Sequence, residues 1–138
     1  MSRKQEIKAF LKQEFPQFVS KIEDVGERAS SIRHHVTEAD LRPGGTVSGP
    51  VLFAIADSGL YVAILGEIGI VPLAVTTNMN MNFLNKPSST KDIIAKCKLI
   101  KVGRNLIVGE VYLYSEGNES PIAHAVGTYS IPPSRSTS

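Results

Sequence analysis

Asp57 is the only charged side chain between Pro50 and Gly66, in a stretch that reads VLFAIA before it and SGLYVAIL after it. An ionised carboxylate buried without partners costs several kcal/mol or takes up a proton, and enzymes use that effect to tune a general base. The structural alternative is a carboxylate paired with Arg42 or hydrogen-bonded to nearby amides. The other reactive side chains form no comparable pattern. His34, His35 and His124 share no metal-ligand spacing with Cys97 or with a carboxylate pair, so no metal is expected. Cys97 lies in a strand-like segment without a histidine motif and is expected to be an inert, buried thiol. The run GGTVSG lacks both the spacing and the preceding strand of a phosphate-binding loop, which argues against nucleotide-dependent catalysis.

The segment that carries Asp57 is punctuated as a helix. Ser48 or Gly49 can cap its start, Pro50 suits the first turn, and Gly66 stands where a left-handed C-terminal residue belongs, which predicts a helix over Pro50 to Leu65. Asp57 interrupts the ~20 apolar residues a membrane span needs, and an all-round apolar surface implies burial by protein, so this is expected to be a central core helix. Upstream, Ile7, Phe10, Leu11, Phe15 and Phe18 follow three-and-four spacing and predict a short amphipathic helix within Gln5 to Phe18, ended near Pro16. Lys21 to Val36 reads as strands with a bend near Gly26. Downstream, PLAVTTNMNMNFL alternates, placing Thr76, Asn78, Asn80 and Asn82 on one parity and Thr77, Met79, Met81 and Phe83 on the other. The asparagines are poor strand formers, which suits polar pairing across a sheet or interface, or a solvated face. Strand-like segments follow at Asp92 to Val102, Asn105 to Ser115 and Pro121 to Ile131, separated by short turns. One early apolar helix followed by amphipathic strands predicts an α+β fold in which a curved antiparallel sheet wraps the helix.

At 138 residues the chain is expected to form one domain, with an N-terminal helix over 1–20 packed on a body at 21–132 and a disordered tail at 133–138. With 42% hydrophobic and 20% charged residues and a net charge of +2, nothing points to a nucleic-acid or membrane partner. A single cysteine and an N-terminus without an apolar signal core make a cytoplasmic location the expectation.

Four stretches, GGTVSGPVLFAIADSGLYVAIL, VTTNMNMNFLNKP, KVGRNLIVGEVYLYSEGN and AHAVGTYSI, together resemble the hotdog-fold thioesterases of the phenylacetate-degradation type over about Leu41 to Ile131. The resemblance implies a helix N-terminus whose backbone N–H, here that of Gly49, meets a thioester carbonyl, and an acid two turns further on, here Asp57, acting as base or nucleophile. Ser48 stands where the family usually has His, and Arg42 where members often have Asn; both count with the substrate-contact residues. Thr76 aligns with a hydroxyl residue that orients water or substrate. The turn Lys101-Val102-Gly103-Arg104-Asn105 matches one that contacts the coenzyme A nucleotide, with Lys86 assisting, and the acyl group is expected among Phe53, Tyr61, Phe83 and Leu84. The implied activity is cofactor-free acyl-CoA hydrolysis, coenzyme A being part of the substrate. A non-catalytic acyl-CoA or acyl-ligand binding protein is the alternative, and a hydratase or dehydratase of the same fold comes third, since no histidine sits in the helix motif.

Spacing adds a constraint. Eight residues of helix separate Gly49 from Asp57 by ~12 Å, so the two cannot serve one carbonyl within one chain. If both act on the same thioester, the acid comes from a second protomer across a two-fold axis, which predicts a dimer or a dimer of dimers.

Overall fold

The structure, a computed structural model, describes residues 2–133. Helix α1 (Arg3–Glu14) opens on a capping box between Ser2 and Gln5 and buries Ile7 and Leu11. Pro16 follows its end, as the sequence requires. Strands β1 (Lys21–Gly26) and β2 (Ala29–His34) form a hairpin, and a small hairpin of β3 (Leu41–Arg42) and β4 (Thr46–Val47) leads into helix α2 (Gly49–Ile68). Strands β5 (Val75–Phe83), β6 (Ile93–Val102), β7 (Leu106–Ser115) and β8 (Ala123–Ser130) complete the chain. Six strands make one antiparallel sheet in the order β1-β2-β6-β7-β8-β5, with β1 and β5 at its edges. The α+β architecture of the hotdog fold is as expected: a long helix packed against a large antiparallel sheet. Pro132 and Pro133 have no regular structure, and the rest of the expected tail lies outside the described residues.

Helix α2 supplies the core. It is long and apolar enough by composition to cross a bilayer, yet 56% of its most apolar stretch is buried inside this fold, with Leu60, Val62, Ile64 and Leu65 fully enclosed. Close approach to the sheet depends on a pair of glycines. Gly109 and Gly127 face each other on β7 and β8, and a Cβ on either would come within 2.6 Å of a Leu60 methyl, so the two strands form a dent that receives that side chain. At the far end, α2 runs on past the expected stop. Gly66 lies within the helix, where a Cβ would meet Val25 Cγ1 at 2.5 Å, and the C-terminal residue with positive φ is Gly69 at +94°. Gly66 is thus required for contact with β1, not for helix termination.

The expectation of burial on every side of α2 fails along one stripe. Pro50, Phe53 and Ala54 are exposed, and Asp57 and Ser58 are partly so. These positions share one helical face.

Arg33 joins several elements at the opposite edge. It donates to Glu23 at 2.8 Å, Asp92 at 2.9 Å and Glu116 at 2.8 Å, and so holds the carboxyls of Glu23 and Asp92 below the usual range. This cluster links the β1–β2 hairpin to the strand ends of β6 and β7.

Candidate functional site

Strand β5 does not keep its sequence parity. Its pairing with β8 slips between Thr76 and Asn78, so that Thr76 faces Tyr129, Asn78 faces Thr128 and Met79 faces Gly127. The bulge at Thr77 moves Thr76 off the asparagine face and onto the helix side of the sheet, with Met79 and Met81. Asn78, Asn80 and Asn82 remain exposed on the other side.

Asp57 meets the sheet at that bulge. The hydroxyl of Thr76 donates to its Oδ1 at 2.6 Å, and the hydroxyl of Tyr129 donates to the same oxygen at 2.8 Å while lying 3.3 Å from the Asp57 carbonyl oxygen. Oδ2 has no hydrogen-bond partner among the described residues. One carboxylate oxygen is therefore held by two donors and the other by none among the described residues. Burial, reinforced by the neighbouring Asp57 charge, pushes the Tyr129 phenol well above its ordinary value, so it stays a donor at any working pH. Arg42, the expected structural partner of Asp57, is exposed on β3 and forms no ion pair with it among the described residues.

The carboxylate opens onto a cleft of about 340 Å³. Asp57, Ser58 and Tyr61 line it from α2, Phe10, Glu14 and Phe15 from α1 and its end, Pro72, Ala74, Val75 and Thr76 from β5 and its approach, and Tyr129 from β8. Of the four residues expected around the acyl group, only Tyr61 lies here. Phe53 on α2 and Phe83 and Leu84 at the far end of β5 are 41%, 59% and 49% exposed.

That other end holds the start of α2. Ser48 caps the helix, accepting from the Val51 N–H at 3.4 Å, and the Gly49 N–H has no partner among the described residues. A Cβ on Gly49 would lie 3.3 Å from Phe83 Cζ, so the ring of Phe83 stands over this terminus. Asp40 positions the cap in a way the sequence did not signal: its carbonyl accepts from the Ser48 N–H at 2.9 Å and its carboxylate meets His34 Nε2 at 2.8 Å. Burial opposes the charged form of Asp40, but the Thr37 amide and His34 hold its carboxyl below the usual range. Within one chain, then, Gly49 sits by Phe83 and Asp57 by Thr76, at opposite ends of one strand.

The cationic turn joins β6 to β7. Its Gly103 N–H donates to Leu106 O at 2.9 Å, Asn105 O accepts from the Ile131 N–H at 2.8 Å, and Lys101 and Arg104 are exposed and in no ion pair among the described residues. Leu106 pairs with Ser130 and Ser130 with Val75, so the turn shares the Thr76 end of the sheet. Lys86, also exposed, follows the Phe83 end and is not brought near it. Cys97 is buried and its thiol is pushed up to about 12 by that burial, which suits the expected inert role. No group of three or more His, Cys, Asp or Glu among the described residues could hold a metal.

Known proteins share this fold. The profile of the thioesterase superfamily matches residues 44–122. A candidate thioesterase from Silicibacter sp. TM1040 is 44% identical over 94% of this chain and 92% of its own, with a TM-score of 0.86. The PaaI protein of the Escherichia coli phenylacetic acid degradation operon shares the fold at 17% identity, with 94% and 93% covered and a TM-score of 0.82. A hypothetical thioesterase from Streptococcus pneumoniae, solved with coenzyme A, shares it at 19% identity, with 86% and 93% covered and a TM-score of 0.74. Among curated proteins none matches the chain.

Proposed function

The chain belongs to the thioesterase superfamily, with the hotdog fold of the phenylacetate-degradation type, and from that premise we propose that it is an acyl-CoA thioesterase whose site is shared between two chains. The observation that carries the proposal is Asp57: one oxygen is fixed by Thr76 and Tyr129, and the other is free at a cleft. In this reading Oδ2 takes a proton from water as the water attacks the thioester carbon, or attacks that carbon itself. The Gly49 N–H of the second chain, at the positive end of α2, stabilises the oxyanion, and collapse of the tetrahedral state releases the coenzyme A thiolate; where Oδ2 is the nucleophile, water then hydrolyses the acyl–Asp57 anhydride. Lys101 and Arg104 are free to pair with the phosphates of coenzyme A, the ligand held by the S. pneumoniae relative.

Two features support a second copy as the missing half. The exposed stripe of α2 around Phe53 and the outer edge of β5 are neighbours, and an uncovered apolar face beside an unpaired strand edge is a surface that invites association. Their layout also suits a two-fold axis, since reversing one β5 against another brings the Phe83 end of each beside the Thr76 end of its partner.

Replacing Asp57→Asn keeps the two donors and the shape but removes the base. Hydrolysis of acyl-CoAs should fall by ~10²–10⁴-fold while coenzyme A binding persists. Full activity in that variant would refute the assignment, and saturable acyl-CoA binding without turnover in the wild type would make the protein a binder instead.

A further inference from the structure

The cleft beside Asp57 is closed on its far side by the N-terminal helix. Phe10 and Phe15 are both partly buried against it. Phe15 meets Tyr61 edge-on, with ring centres 6.1 Å apart, and Tyr61 stacks on Tyr129 at 6.0 Å. Three rings thus run from the end of α1, across α2, to the tyrosine that holds the carboxylate. Helix α1 is firmly seated in this position. Ile7 and Leu11 are buried, and Lys4 Nζ donates to the Glu23 carbonyl at 3.1 Å. The loop residues Pro72 and Ala74 close the opposite wall, and the only formal charge on the lining besides Asp57 is the exposed carboxylate of Glu14.

Resting on the thioesterase reading, we propose that this cleft is the acyl pocket and that Phe10 and Phe15 of the N-terminal helix set the upper limit on the acyl group. In that reading the thioester carbon lies within reach of Asp57 Oδ2, directly or across one water, and the cleft that Asp57 lines is also lined by Phe10 and Phe15. Its 340 Å³ accommodates on the order of ten non-hydrogen atoms, taking ~30 Å³ for each as for a water-sized group. Phe10, Phe15, Tyr61, Pro72, Ala74 and Val75 give the lining its apolar part, which suits an uncharged acyl body, while Glu14 at the rim opposes an acyl chain that ends in a carboxylate. Acyl choice would then belong to the chain that supplies Asp57, and the oxyanion amide to the other.

The test uses non-hydrolysable S-alkyl thioethers of coenzyme A, from butyl to hexadecyl, titrated calorimetrically into the full-length protein. Wild type should prefer butyl to octyl over hexadecyl. In Phe15→Ala and in Phe10→Ala the ratio of hexadecyl to butyl affinity should rise about tenfold, and in Glu14→Gln the ratio of carboxyheptyl to octyl affinity should rise several-fold. Should an alanine variant fail to fold, the milder Phe15→Leu and Phe10→Leu carry the same comparison. A length profile unchanged by every folded phenylalanine variant would overturn the pocket. Hydrolysis of the matching acyl-CoAs is measured separately: length selectivity that follows the phenylalanines without any turnover would sink the thioesterase reading and leave the pocket standing.

Discussion

Two hydroxyls hold the Asp57 carboxylate, and one of them, that of Tyr129, comes from the last strand of the sheet. Tyr129 lies 72 positions away and looks like any aromatic in a strand; only the folded chain brings its hydroxyl to Oδ1. Its importance can be measured. A hydrogen bond to a charged group is worth ~1.5–3 kcal/mol, so Tyr129→Phe should lower kcat by about 10- to 100-fold and leave the affinity for coenzyme A little changed. Unaltered steady-state kinetics would mean that Thr76 alone orients the acid. Asp57 was legible because one charge in an apolar run stands out. Thr76 came from family resemblance, and its strand parity pointed it the wrong way, towards the asparagines. The bulge at Thr77 corrects this by one residue, a local irregularity that an alternating pattern cannot announce.

At the level of elements, strands and helices were readable to within a few residues because their apolar periods are strong, and the antiparallel order followed from short turns. What the pattern missed were close contacts between elements. Gly66 reads equally well as a helix stop and as a gap for a neighbour, and its true role appears only when β1 is seen to press Val25 against it. Alanine there would favour the helix by up to ~1 kcal/mol but overpack the contact by ~1–3 kcal/mol, so Gly66→Ala should be destabilised on balance. Urea unfolding of Gly66→Ala, Val25→Ala and the double variant forms the decisive cycle: relief of the penalty in the double variant is expected, and a Gly66→Ala protein more stable than wild type would contradict the contact. Similarly, the small β3–β4 hairpin and the Asp40 brace before α2 carry too few apolar residues to leave a periodic trace.

For the whole molecule, helix spacing predicts a second chain if Gly49 and Asp57 act on one thioester, while the exposed stripe of α2 became visible only in the fold. Complementation addresses this directly. Gly49→Pro removes the amide donor yet fits a first-turn position behind an extended Ser48, with the exposed Phe83 ring able to shift aside. Neither Gly49→Pro nor Asp57→Asn should be active by itself. Co-expressed, they should regain about a quarter of wild-type activity, because half of randomly formed dimers are mixed and each of those has one intact site of two. No recovery in demonstrably mixed dimers would refute a site built from the Gly49 amide of one chain and Asp57 of the other. The dent that receives Leu60 has a further consequence for which lengths of chain can vary. With Leu60 seated between two glycines, any residue inserted or lost from Gly49 to Leu60 would swing the amide, and in the last turn also the acid, by ~100° about the axis. Geometry therefore fixes the length of that span, whereas the connection after Gly69 can lengthen or shrink without turning either group about the helix axis.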